Sequence, residues 1–293
     1  MKKSFAMIWA AAAMMGFAAC SNESEQDLVQ QQPTHGNPVC LTTRAAGSAL
    51  PAGSSAGIYM VYGGEMRSTD NYLNNLQLTV GADGTWQPAE TIYWRDNQTQ
   101  ASFYAYYPYT GELEDARSLS FSVREQQTTA DALRASDLLW GRAEAQQPTS
   151  NAVDLTLNHL LSNVIVRVVP GEGFKDGEVT DQNIQVKLCG VLTQARVDLS
   201  NGEVRLFGST GDITPYPLGN QTYQCIVVPQ QVGIHNLVTL QWNGQEYTLR
   251  RAFTFESGKQ YTLTLTMNKT QGGINIGIGD WEIVDEDFGG TVS

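Results

Sequence analysis

Cys20 is the residue whose setting specifies a chemistry most clearly. Lys2 and Lys3 give a positive start, Ser4 through Ala19 are almost wholly apolar or small, and Gly16, Ala18 and Ala19 stand directly before the cysteine. The apolar stretch is shorter than the roughly 20 residues that a membrane-spanning helix needs, so it reads as a signal peptide. Small residues immediately ahead of a cysteine are what a lipoprotein signal peptidase requires. The thiol is joined to diacylglycerol as a thioether, and the acylated cysteine becomes the new N-terminus. Residues 1–19 are therefore expected to be a lipoprotein signal peptide and Cys20 the lipidation site.

Elsewhere, residues that do catalysis are sparse. There are three histidines, His35, His159 and His235, and no His-Glu-x-x-His, Gly-x-Ser-x-Gly or phosphate-binding loop. His159 follows a strand pattern and precedes Leu160-Leu161, the setting of a buried, hydrogen-bonded histidine. The carboxylates Glu112, Glu114 and Asp115, and Asp285, Glu286 and Asp287, lack the rhythm of a calcium loop and read as solvated turns. A carboxylate pair for glycoside hydrolysis need only converge in space, and the sequence singles none out. Beyond Cys20 the cysteines are Cys40, Cys189 and Cys225, none in a Cys-x-x-Cys pair, which excludes a zinc ribbon or a thioredoxin-like motif. Cys189 and Cys225 are either one disulfide or two buried thiols. Neither enzymatic activity, cofactor nor metal is expected. The formal net charge of −12 argues against nucleic acid and against electrostatic binding to anionic lipid.

The aromatic run Tyr93-Trp94 and Phe103-Tyr104-Ala105-Tyr106-Tyr107-Pro108-Tyr109 has two readings. Exposed, it is a stacking platform for sugars or bases. As a central strand it sends Phe103, Ala105 and Tyr107 to one face and Tyr104 and Tyr106 to the other, each face covered by core.

The elements that must position these groups have period two. Tyr261 through Met267 alternates apolar residues with threonine, a half-buried strand. Val164 through Val169 is β-branched and ends at Pro170-Gly171. Asn201-Gly202 predicts a two-residue hairpin pairing Leu199 with Val204, Val197 with Leu206, and Asp198 with Arg205. Asn243-Gly244 predicts another, pairing Leu240 with Tyr247 and Val238 with Leu249. Thr128 through Leu139 suits a short helix or an irregular connection. Gly141 through Asn151 is polar with a proline and reads as a break. About 250 residues follow the leader, enough for one large β domain or two ordinary ones. The fold class is all-β with little helix: two β-sandwich domains in tandem, residues 45–158 and 159–293.

Several short runs, taken together, resemble a known family. They are Asn71-Tyr72, Gly84-Thr85-Trp86, Ile92-Tyr93-Trp94, Phe103 through Pro108, Asp137-Leu138-Leu139-Trp140-Gly141, and Leu157 through Val164. Val228-Pro229, Ser257-Gly258-Lys259-Gln260-Tyr261 and Ile276 through Trp281 follow in the same order. The chain resembles the fimbrillin family, the lipoprotein subunits of Bacteroidota type V pili. The acidic stretch Ser21 through Asp27 resembles the export tag of lipoproteins sent to the outer face of the outer membrane. The resemblance implies transthyretin-like sandwiches, outer-membrane attachment through the lipid on Cys20, and surface display as a fimbrium.

It also implies cutting by an Arg-specific protease and assembly with other fimbrial subunits. Residues 20–44 are then a lipidated tether carrying a removable strand, with Val39, Leu41 and Thr43 on one face and cleavage between Arg44 and Ala45. Arg44 is the sole lysine or arginine between Cys20 and Arg67, and small residues follow it. Removing the segment would bare a groove that a neighbouring subunit fills by strand addition. The candidate donor strand is Ile274, Ile276 and Ile278, whose alternation equally suits a last intramolecular strand. Three rival roles remain open: a pilus anchor that keeps its lipid, a surface glycan-binding lipoprotein, and a β-sandwich glycoside hydrolase using an unidentified carboxylate pair.

Overall fold

Alternation builds most of the structure. Tyr261, Leu263, Leu265 and Met267 are buried while the threonines between them are half-buried, as the sequence predicts. The computed structural model describes residues 36–45, 50–271, 273–278 and 282–284. The first strands are β1 (Leu41–Ala45), β2 (Ser55–Tyr62), β3 (Leu73–Val80), β4 (Trp86–Pro88), β5 (Ala101–Tyr107) and β6 (Leu119–Ser122). A short helix, α1 (Ala130–Ala135), follows, capped by Thr129, whose side chain accepts the Ala132 N–H. Then come β7 (Leu139–Gln146), β8 (Val153–His159), β9 (Ser162–Pro170), β10 (Ile184–Asp198), β11 (Glu203–Ile213) and β12 (Tyr216–Gly219). The remainder are β13 (Thr222–Val227), β14 (Gln230–Trp242), β15 (Gln245–Phe255), β16 (Gln260–Thr270), β17 (Gly273–Ile278) and β18 (Glu282–Val284).

The fold is all-β, in three sheets. A seven-stranded sheet runs β1-β8-β7-β5-β2-β3-β4. A five-stranded sheet runs β11-β10-β14-β15, with β6 beside β10, and a six-stranded sheet runs β12-β13-β9-β16-β17, with β18 also on β16. Sheet membership changes at Leu160-Leu161, between β8 and β9.

Two cores serve these sheets. One, lined by Ile58, Met60, Leu78, Trp94, Phe103, Leu155 and Leu157, belongs to the seven-stranded sheet. The other joins the five- and six-stranded sheets through residues such as Val164, Val186, Val197, Tyr261 and Leu265. β2 and β5 feed both. Phe103, Ala105 and Tyr107 enter the first core while Tyr104 and Tyr106 enter the second. Trp94 and Phe103–Tyr107 are therefore core packing and cannot form a stacking platform, Trp94 and Tyr106 being at most 1 % exposed, whereas Tyr93 is exposed. Because of this sharing, and because β6 pairs with β10, the described residues from Gly36 onward form one compact unit.

The two Asn-Gly sites behave differently. At Asn243-Gly244 both residues have positive φ, 48° and 78°, and Leu240 faces Tyr247 and Val238 faces Leu249, the predicted type I′ register. At Asn201-Gly202 the loop has four residues: Asp198 faces Glu203, Val197 faces Val204 and Ala195 faces Leu206. Tertiary bonds pull Leu199 out of the ladder. Its N–H donates to Ala116 O at 3.0 Å, its carbonyl accepts Trp140 Nε1 at 2.8 Å, and its side chain is buried. The two-residue shift preserves which face each side chain takes, but Asp198 now pairs with Arg117 and Arg205 with Glu203.

The expected break at Gly141–Asn151 is also corrected, since β7 continues to Gln146. Gly141 and Ala143 are buried between exposed Arg142 and Glu144, an alternation disguised by small residues. A Cβ at Gly141 would lie 2.0 Å from the Thr156 carbonyl oxygen of β8, so no side chain fits there. Gly141→Ala is expected to push β8 away and lower stability by about 1–3 kcal/mol, read as a fall in the urea midpoint. An unchanged midpoint would contradict this packing.

Candidate functional site

The segment ahead of residue 46 is bonded on two sides. Gly36 N–H donates to Trp94 O at 2.7 Å, Trp94 N–H to Asn37 O at 2.9 Å, and Val39 N–H to Ile92 O at 2.8 Å. At the next residue it bonds the other end of the sheet, which lies alongside: Val153 N–H donates to Cys40 O at 2.9 Å. β1 continues parallel to β8, with Leu41 facing Val153, Thr43 facing Leu155, Arg44 facing Thr156 and Ala45 facing Leu157. It is the edge strand of its sheet, and Val39, Leu41 and Ala45 pack against the core that holds Ile92, Trp94, Val153, Leu155 and Leu157. Half-burying Val39 and Leu41 contributes about 1 kcal/mol each. Each backbone bond adds about 0.5–1.5 kcal/mol net. The segment is thus fastened by many modest terms along a seam between the two ends of the sheet, and each term alone is small enough for local opening.

The Arg44–Ala45 bond lies inside the ladder, although the small residues that follow it in sequence suit an open, accessible site. The side chains of Thr43 and Arg44, and all of residues 1–35, including Cys20, lie outside the described residues. At the other end of the chain, β17 runs antiparallel along β16, with Ile274 facing Lys269, Ile276 facing Met267 and Ile278 facing Leu265. Ile274 and Ile276 are half-buried and packed against the larger core. β18 takes the same strand at Gln260–Thr262. In this chain the alternating isoleucines therefore form an intramolecular strand at a sheet edge.

The other chemistry-bearing residues are occupied structurally. His159 Nδ1 lies 2.9 Å from Asp137 Oδ1, with the ring nearly buried. Cys40, Cys189 and Cys225 are free thiols. Cys225 is fully buried, which pushes its thiol up to about 12 and leaves it inert. Glu112 and Glu114 are exposed, and Asp115 Oδ1 accepts the Arg117 N–H at 2.8 Å. Asp285, Glu286 and Asp287 lie outside the described residues. Among the described residues no three His, Cys, Asp or Glu side chains converge as metal ligands.

A family model described as fimbrillin-like matches residues 43–281. The chain belongs to this family. A candidate fimbrium subunit, Fim1C, from Bacteroides uniformis is 24% identical over 303 residues, covering 96% of both chains. Two solved structures share the fold. A candidate cell adhesion protein from Bacteroides uniformis aligns with TM-score 0.69 and 23% identity, over 87% of this chain and 99% of that one. The tip fimbrial protein Mfa3 from Porphyromonas gingivalis, in a C-terminally truncated form, aligns with TM-score 0.52 and 10% identity, over 85% and 99%.

In this fimbrillin-like chain three of the runs that carry the resemblance, 137–141, 157–164 and 257–261, meet at the junction of β8 and β9. Leu160 N–H donates to Leu138 O at 2.9 Å, Ser257 Oγ to Leu160 O at 2.8 Å, and Gly258 N–H to Leu161 O at 3.1 Å. Asn163 is buried, with Nδ2 donating to Gln260 Oε1 at 2.9 Å and Oδ1 accepting from Gln224 Nε2 at 3.1 Å. These residues hold sheets together rather than forming a binding site. Sequence reasoning missed the part played by Ile92–Trp94, which bonds the segment that leads into β1. The signal was present: Ile92 and Trp94 are apolar and buried while Tyr93 between them is exposed.

Leu41→Asp places a charge against an apolar core and should populate the opened state of β1. Cleavage after Arg44 by an Arg-specific protease is expected to accelerate about tenfold when opening is a rapid pre-equilibrium, as followed by N-terminal sequencing of the product. An unchanged rate would show that β1 does not protect that bond.

Proposed function

We propose that the protein is a structural, non-enzymatic subunit of a cell-surface fimbria, exported as an outer-membrane lipoprotein acylated at Cys20 and assembled by strand exchange. The observation that carries this reading is β1: an edge strand whose apolar residues cover a core and whose last bond follows the sole lysine or arginine between Cys20 and Arg67. Cleavage at Arg44 by an Arg-specific protease would leave β8 with an unpaired edge beside exposed apolar side chains. A strand from another subunit restores both the backbone bonds and the burial.

The donor in this reading is Ile274, Ile276 and Ile278 with the residues that follow. β17 and β18 occupy one strand, β16, so they leave together without dismantling a hairpin elsewhere. Residues 45–158 then supply the groove and residues 159–293 the donor. The partners are other fimbrial subunits, with the lipid on Cys20 as the membrane attachment before processing. One observation favours a second role. Arg44 sits in the β1 ladder rather than in an open loop, and a subunit in which that strand stays closed would keep its lipid and act as an anchor.

Treating the full-length protein with an Arg-specific protease is expected to yield a core beginning at Ala45 and detergent-resistant ladders on electrophoresis. Deleting residues 273–293 should abolish the ladders while leaving cleavage intact. Material from the cell surface with lipid retained and Arg44 uncut would instead establish the anchor role.

A further inference from the structure

A small cleft lies where β2 ends and the chain turns toward β3. Its volume is about 150 Å³, and Tyr62, Glu65, Arg67, Asp70, Tyr72 and Arg95 contribute to its walls. Tyr72 is 41% exposed, among the few large apolar side chains this open in the described structure. Its ring meets Tyr62 edge-on, with centroids 4.8 Å apart at 85°. Tyr62 is fixed in turn: its hydroxyl accepts the Arg95 N–H at 2.6 Å, and the Arg95 guanidinium lies over its ring at 4.4 Å.

The turn that presents Tyr72 is also fixed. Asn71 is buried, accepts the Arg67 N–H at 2.9 Å, and donates to Arg67 O and Asn74 Oδ1 at 3.0 Å. Asp70 beside it holds a left-handed backbone with φ 57°, which a non-glycine residue adopts at a cost. A preorganised turn thus holds an aromatic face open to water. Around that face stand two carboxylates, Glu65 and Asp70, and two guanidinium groups, Arg67 and Arg95.

Asp96 Oδ2 lies 3.5 Å from Arg95 Nε, so the surroundings hold no excess of positive charge to select an anion, while donors and acceptors of both kinds stand around an exposed ring. We infer that this cleft binds a neutral pyranoside, the apolar face of the sugar on Tyr72 and its hydroxyl groups on the surrounding carboxylates and guanidinium groups. The volume is below the roughly 300 Å³ lower bound of drug-sized pockets, so one ring, the end residue of a surface glycan, is the ligand size. No residue of the cleft belongs to β1, β8, β16 or β17, although Arg95 follows Trp94, which bonds Gly36 and Asn37, so the test uses the uncut protein.

The test is saturation-transfer difference NMR on the full-length protein with millimolar methyl glycosides of glucose, galactose, mannose and N-acetylglucosamine. Saturation of the ring C–H protons of at least one neutral glycoside is expected. Tyr72→Ala should weaken its binding about tenfold, the worth of one aromatic face, and Tyr72→Phe should preserve it. Tyr72 is exposed, so neither variant threatens the core. Absence of transfer to every glycoside, or equal transfer in Tyr72→Ala, would overturn the inference. Preferential binding of methyl glucuronide would overturn the choice of a neutral sugar.

Discussion

A sheet that ends beside its own core leaves backbone donors and acceptors and apolar side chains bare along the same line. In this protein that line is the free side of β8. Covering it needs an extended segment with apolar residues on alternate positions, and residues 36–45 are that segment. The same ten residues bond Ile92–Trp94 after the β4 end of the sheet, so they tie its two ends together. The rest of the seven-stranded sheet is arranged to make this seam workable. Gly141 lets β7 approach β8 closely, and Leu155 and Leu157 are entirely buried beneath the covering strand.

The second constraint is that β2 and β5 have no solvent face. Ile58 and Met60 enter one core while Tyr59 and Val61 enter the other, and β5 divides its aromatic residues in the same way. Gly57 allows this, since a Cβ there would lie 2.3 Å from the Tyr106 ring. Tyr106 is anchored by its hydroxyl to Asn75 Oδ1 at 2.9 Å, which satisfies the polar end of a buried ring. Any change at the β8 edge therefore sits two strands from residues that serve both cores, so opening of the seam is expected to remain local to the edge.

Much of this was legible in the chain because period-two patterning reports burial directly. β9, β16 and the β14–β15 hairpin with its Asn-Gly turn follow from local residues alone. The parity of β5 was legible too, and its two-sided burial settles the choice between platform and core. What local pattern could not carry was the pull of distant groups. Trp140 and Ala116 draw Leu199 out of its ladder and lengthen the turn. Gly141 and Ala143 hide a buried strand face behind small side chains. For the edge segment, alternation at Val39 and Leu41 identified a strand, but not that it would lie parallel to β8 with Arg44 inside the ladder. Charge and burial around Tyr72 are equally tertiary, because Arg95 reaches that turn from a different part of the sheet.

The central claim is that residues 36–44 cover an edge that another strand can take. Hydrogen–deuterium exchange measured before and after excision through Arg44, with and without a peptide spanning residues 273–293, tests it most directly. The account predicts that excision removes protection at Val153–Leu157 and Ile92–Trp94 while leaving β9 and β16 protected, and that the peptide restores protection at β8. Unchanged protection at Val153–Leu157 after excision, or no recovery with the peptide, would contradict it.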